Sequence, residues 1–172
     1  MQYRKFGKLD WQVSALGFGC MRLPILDGKS SLIDQEKTTA MIRAAIDAGV
    51  NYFDTAYTYH DQQSEVALGK ALEGGYRERV CIATKSPIWL IKESADFDRL
   101  LDEQLRRLQA GTVDFYLLHA LNRQSWAKIQ QLGLLRRAEA AKADGRIRYL
   151  GFSFHDNLET FKQIVDGYDA WD

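Results

Sequence analysis

Asp54, Tyr59, Lys85, His119 and Ser153 are the side chains whose types could exchange protons or hold a ligand by hydrogen bonds, and their spacing is the first clue to chemistry. Asp54 lies at the end of the apolar run Asn51-Tyr-Phe-Asp-Thr55, and Lys85 closes Val80-Cys-Ile-Ala-Thr-Lys85. His119 closes Val113-Asp-Phe-Tyr-Leu-Leu-His119, and Ser153 stands near the end of Arg148-Tyr-Leu-Gly-Phe-Ser-Phe154. Tyr59 follows Asp54 in the adjoining loop. Taken singly, each has an ordinary structural use: Asp54 as a turn cap, Lys85 as a snorkelling amine, Tyr59 as rim packing, His119 as partner of a backbone carbonyl. Their joint appearance at the same end of successive runs points instead to one site.

The elements that must position these residues follow from periodicity. Gln2 to Leu16 alternates and turns around Gly7 to Asp10, which predicts a β-hairpin. Ala15 to Met21 reads as a first strand, with a loop through Pro24, Asp27 and Gly28 leading to a helix from near Asp34. That helix places Met41, Ala44 or Ala45, and Ala48 on one face and stops at Gly49. Asn51–Thr55 is the second strand, followed by a helix that Ser64 caps, carrying Val66, Leu68 and Leu72 and ended by Gly74-Gly75. Val80–Lys85 is the third strand, and a helix from about Asp96 to Ala110 has the stripe Leu101, Leu105 and Leu108. Val113–His119 is the fourth strand, and after a loop around Asn122 one long helix runs through Leu132, Leu135, Ala138 and Ala141 to Gly145. Arg148–Phe154 is the fifth strand, and Asn157 caps a last helix with Phe161, Ile164 and Val165 inward.

Near-continuous apolar strands alternating with amphipathic helices predict an α/β fold with a parallel sheet. An open dinucleotide-binding sheet needs Gly-x-Gly-x-x-Gly between strand and helix; Gly17-Phe-Gly19 lacks the third glycine and the helix starts only near Asp34, which excludes it. A (β/α)8 TIM barrel, with reactive groups at the carboxyl ends of its strands, fits. About five strand-helix units are expected over 15–172 after a hairpin over 1–16, as a single domain.

The 172 residues are 46% hydrophobic and 12% aromatic, enough for an ordinary core. With 23 basic and 23 acidic side chains the formal charge is zero, which gives no electrostatic reason to expect nucleic acid or an anionic membrane as partner. The basic stretch Arg136 to Arg148 reads as a solvated helix face. Cys20 and Cys81 are too few and too far apart for a zinc knuckle or a disulfide framework, and read as reduced core thiols. No run approaches the ~18 apolar residues of a membrane span, and the amino terminus has no secretory pattern, so a cytoplasmic protein is expected.

Phe53-Asp-Thr-Ala-Tyr-Thr-Tyr59, Ala83-Thr-Lys85 and Tyr116-Leu-Leu-His119 resemble the catalytic motifs of the aldo-keto reductases, and the likeness covers essentially the whole chain. It implies an NAD(P)H-dependent enzyme that reduces a small-molecule aldehyde or ketone to an alcohol. Reduction needs a hydride at carbon and a proton at oxygen, and tyrosine is a weak acid at neutral pH. The resemblance makes Tyr59 the proton donor, Lys85 the cation that favours its phenolate, Asp54 the partner of Lys85, and His119 the hydrogen-bond donor that orients the carbonyl. In the oxidative direction Tyr59 becomes the base.

The same resemblance assigns Met21, Arg22, Asp54 and Ser153 to the cofactor, NADP(H) ahead of NAD(H), with Ser153 at the carboxamide. The usual neighbour of that serine is asparagine, where this chain has Phe154 in Gly151-Phe-Ser-Phe-His155. Tyr57, Trp89 and Asn122 are expected at the mouth of the substrate pocket. Gly17-Phe-Gly-Cys-Met-Arg-Leu-Pro24 looks like a bacterial branch whose members often carry an iron-sulfur segment at the carboxyl end; no residue among 1–172 is expected to ligate a metal or cluster.

A complete barrel takes roughly 250 residues, so three units are expected beyond this stretch and the remainder of its own barrel is an expected partner. Two other readings stand beside the enzyme: a reductase-like, nicotinamide-binding regulatory subunit, and an inactive piece of the enzyme.

Overall fold

In the computed structural model, which describes residues 1–172, the chain opens with an antiparallel hairpin of β1 (Tyr3–Lys5) and β2 (Gln12–Ser14). There follow β3 (Phe18–Gly19), α1 (Gln35–Asp47), β4 (Tyr52–Asp54), α2 (Ser64–Ala71), β5 (Cys81–Ser86), α3 (Asp96–Leu108) and β6 (Val113–Leu121). The chain continues with α4 (Arg123–Leu132), α5 (Leu134–Ala143), β7 (Ile147–Phe154) and α6 (Leu158–Asp166). β3 to β7 form one sheet in chain order, every pair parallel. Parallel neighbours joined by helices in simple succession make five consecutive units of a (β/α)8 barrel.

Side chains alternate across these strands, and the two faces have different fates. One face packs against the helices in a core that includes Phe53, Ile82, Tyr116, Leu118 and Leu150. The other is the concave interior. There Cys81, Ala83 and Phe115 pack with Tyr52, Leu117 and Tyr149, and the hairpin contributes Leu9, Phe6 and Trp11. The rings of Phe6 and Trp11 sit 5.2 and 5.8 Å from Phe115, so the hairpin plugs the end of the sheet where the strands begin. Asp54, Lys85 and His119 each lie two residues beyond an interior residue (Tyr52, Ala83, Leu117) and therefore face the same interior at the opposite end.

Several local expectations are corrected. The α1 stripe is Thr38, Ile42 and Ile46, all buried, while Met41 and Ala48 are exposed, because the two branched isoleucines one turn apart fill the sheet surface better than alanine and methionine. Ser64 does not cap α2: Gln63 holds that position without a side-chain bond, and the Ser64 hydroxyl turns inward to the Cys20 carbonyl (2.9 Å) and Thr55 Oγ1 (2.8 Å). The single long helix is two, α4 and α5, broken at Gly133, whose φ of 64° is a left-handed conformation that glycine adopts without cost. In α6 Ile164 is buried but Phe161 and Val165 are exposed, Phe161 lying against the rings of Phe152 and Phe154. The first strand shrinks to two residues before a 3-10 turn over Cys20–Arg22, and α3 stops at Leu108. Asn157 caps α6 as expected, accepting from the Thr160 N–H at 3.0 Å.

Candidate active site

Tyr59 is delivered by a short loop between the end of β4 and the start of α2. That loop is held by three successive left-handed residues, His60, Asp61 and Gln62 (φ 52°, 50° and 72°). His60 anchors it: its Nε2 accepts the Leu23 N–H at 3.0 Å, which leaves the hydrogen on Nδ1, donated to the Ser30 carbonyl at 2.9 Å. Lys85, buried near the end of β5, reaches across β4 toward the loop. Its ammonium donates to Asp54 Oδ1 at 2.6 Å, to the Thr55 carbonyl at 2.7 Å and to Tyr59 Oη at 3.0 Å. Three acceptors for three donors fix the cation, which also lies 4.6 Å from the centroid of the Tyr59 ring. One of them, the Thr55 carbonyl, carries no sequence signal, since any residue there would offer the same oxygen.

His119, on β6, closes the group. Its ring centroid is 6.1 Å from that of Tyr59 and 5.1 Å from that of Trp89. Burial, followed by the Lys85 and His155 charges, pushes the imidazole down from 6.5 to about 4, so it is neutral at physiological pH. Its Nδ1 is buried with no partner. A buried acceptor without a donor is the less costly orphan, so the hydrogen belongs on Nε2, the accessible nitrogen. His119, Trp89 and Asn122 share a cleft of about 240 Å³ with Ile88, Gln124 and Lys128. The oxygen of Asn122 is committed to capping α4, accepting from Ser125 at 2.9 Å.

Ser153 stands next to this group on β7, its Oγ accepting the Ala120 N–H at 2.7 Å and keeping its own hydrogen to donate. Met21 and Arg22 are exposed in the turn after β3, the Arg22 guanidinium bonded only to the Met21 carbonyl. Tyr57 is not brought to the cleft. Its hydroxyl donates to Glu103 Oε2 at 3.0 Å and its ring lies 4.1 Å from the Arg107 guanidinium, so it packs outward against α3, and its expected place at the pocket mouth is corrected. Tyr57 and Tyr59 lie in one irregular loop where no periodicity separates inward from outward. The larger hollow of about 710 Å³ lies at the other end of the strands, around Asn51, Arg77, Asp114 and Arg148, and holds none of these groups. No three His, Cys, Asp or Glu side chains converge as a metal ion would need.

The arrangement offers a phenol against a fixed cation with a neutral imidazole donor 6.1 Å away between ring centroids, a geometry suited to giving one proton to an oxygen that a second donor holds. A family profile described as the aldo/keto reductase family matches residues 15–171. An aldo-keto reductase from Bacillus halodurans, in its holo form, superposes with a TM-score of 0.74 at 30% identity, over 90% of this chain and 50% of that one. One from Klebsiella pneumoniae, solved in complex with NADPH, gives 0.76 at 29% identity over 92% and 51%. Another from the same organism, with NADP and acetate, gives 0.69 at 30% over 88% and 49%. The chain thus spans about half the length of the solved structures it matches.

Proposed function

This chain belongs to the aldo/keto reductase family, and from that membership we propose that it carries the acid half of a reaction reducing an aldehyde or ketone to an alcohol, with Tyr59 as the proton donor. The observation that carries the proposal is the Lys85 ammonium held against Tyr59 Oη at 3.0 Å while Asp54 and Thr55 take its other two donors. The cation stabilises the phenolate left when the proton passes to the carbonyl oxygen, and Asp54 holds the cation in place. His119, neutral with its hydrogen on Nε2, donates to the same carbonyl oxygen and sets the substrate within reach of Tyr59. In oxidation the phenolate takes the proton back. Trp89 and Asn122 border the cleft where the rest of the substrate would lie.

Bound reduced nicotinamide supplies the hydride. The residues present fit its carboxamide end: Ser153 keeps a free O–H, and Met21 and Arg22 are exposed beyond the end of β3. The neighbours solved with NADPH and NADP support NADP(H) over NAD(H). We place the protein in the cytoplasm, a setting in which its two buried, unpaired cysteines stay reduced. The remaining barrel units are the proposed cover for the open edge of β7 and the apolar interior around Phe115 and Leu117.

Titrating the chain with NADPH by cofactor fluorescence, then following NADPH oxidation with a panel of aldehydes, tests the proposal. Binding together with aldehyde-dependent oxidation is the expected result; oxidation that no aldehyde accelerates contradicts it. The open sheet favours a second reading, nicotinamide binding without turnover, which saturable fluorescence with no oxidation would select.

A further inference from the structure

We propose that Gln104, backed by the buried carboxylate of Glu65, is a positioning residue for Lys85: it fills the hydrogen-bonding place that the end of β4 leaves open and so fixes the strand segment from which the ammonium reaches Tyr59. This rests on the role of Lys85 given above. The last ladder bond between β4 and β5 runs from the Thr55 N–H to the Ala83 carbonyl at 2.8 Å. Carbonyls two residues apart in a strand point the same way, so the Lys85 carbonyl faces the side β4 has vacated. A buried carbonyl without a donor is costly, and Gln104 Nε2 supplies one at 3.1 Å.

Gln104 is itself the anomaly that calls for an explanation. It is fully buried on α3, one turn from Leu100 and one from Leu108, on a face that is otherwise apolar except for Arg107. Every polar atom it has is used. Its Oε1 accepts from Tyr116 Oη at 2.7 Å, and the two hydrogens of its Nε2 are shared among Glu65 Oε1 at 2.7 Å, Thr84 Oγ1 at 3.1 Å and the Lys85 carbonyl. The Lys85 carbonyl can only accept, so it must face the amide nitrogen; this settles the orientation of the Gln104 amide and leaves the Tyr116 hydroxyl donating to Oε1. Glu65, also buried, accepts from Thr84 Oγ1 at 2.6 Å and pairs with Arg107 at 3.3 Å. The carboxylate therefore draws Gln104 and Thr84 together from both sides of Lys85. The adjacent Ser64 ties the start of α2 to Thr55 and Cys20 in the same way. Lys85 is thus clamped at its main chain by Gln104 and at its ammonium by the site.

The ammonium signal of Lys85 in 15N–1H spectra, assigned by its loss in Lys85→Met, reads this without requiring catalysis. The expectation is a signal protected from solvent exchange in the wild type and in Leu101→Ala, a destabilised control on the same helix with no part in the network. Gln104→Met, which keeps the length and removes the amide, is expected to exchange at least about tenfold faster, the worth of one lost hydrogen bond. Tyr116→Phe, which removes the hydrogen bond that holds Gln104 Oε1 and so loosens the amide, is expected to move the same way by less, and it carries the test if Gln104→Met does not fold. Unchanged exchange in both variants, or equal acceleration in Leu101→Ala, overturns the positioning role. A wild type without any protected Lys85 ammonium overturns instead the reading of Lys85 at the site, so the two failures are distinct.

Discussion

At the scale of residues, a phenol is a useful acid only if the charge it leaves behind is stabilised, and in this chain that depends on where one ammonium sits. Lys85 has three acceptors, and each loss has a distinct consequence. Lys85→Met removes the cation, and aldehyde reduction is expected to fall by roughly 10²-fold or more, while Asp54→Asn keeps the cation but loosens it and is expected to cost less. Steady-state rates on one aldehyde rank the two, and the reverse order would contradict the assigned roles. His119 gives a pH signature. Its folded value of about 4 lies below the ordinary 6.5, so between these limits the unfolded chain takes up a proton that the folded chain refuses. Its contribution is therefore in full above about pH 6.5 and is lost as pH falls toward 4. Thermal melts from pH 7 to 4 should show declining stability, with a shallower decline in His119→Asn; identical slopes would remove the account of a buried neutral imidazole. Asp54, Lys85 and His119 were legible because residue types at strand ends are a pattern, and the structure places Tyr59 against Lys85. The sequence does not show that Tyr57 turns to Glu103 or that Thr55, Glu65 and Gln104 support Lys85, because an irregular loop has no periodicity, a main-chain oxygen has no residue signature and a buried polar residue in a helical stripe looks solvent-facing until its partners are known.

At the scale of elements, strand alternation was the more legible signal and helix detail the less. The five parallel strands lie on the runs expected, with β3 shortened, β6 running on to Leu121 and β7 starting at Ile147, because a buried parallel strand is a near-continuous apolar run. Helix faces were harder: in α1 the alanines satisfy the same spacing as Ile42 and Ile46, and only packing decides which set is inward. The corrected stripe predicts that Ile42→Ala costs about 2–5 kcal/mol and Met41→Ala within about 0.5 kcal/mol, read by urea denaturation. Equal losses would restore the original face. The cap of α6 was readable from Asn157, whose oxygen takes the Thr160 N–H, and Asn157→Ala is expected to lower stability by about 1 kcal/mol in the same experiment. The break at Gly133 could have been suspected from a glycine inside a long helical pattern, yet glycine alone does not distinguish a tolerated residue from a left-handed stop.

At the scale of the whole molecule, the site stands at one end of a five-stranded sheet whose other end is plugged by the hairpin, and the two ends divide the work of chemistry and stability as barrels do. β7 is an open edge, met by Asp172, whose N–H donates to the Leu150 carbonyl at 3.2 Å and whose carboxylate accepts from the Leu150 N–H at 2.9 Å. The five strand-helix units and the group around Lys85 lie within a chain that spans about half the length of the solved structures it matches. The central claim, that Tyr59 donates the proton in carbonyl reduction, is tested most directly by NADPH-dependent reduction of an aldehyde with the wild type and Tyr59→Phe. The substitution keeps the ring and removes one oxygen. A fall in turnover of about 10²–10⁴-fold, with NADPH binding retained, is the predicted result, and equal rates in the two proteins would contradict it.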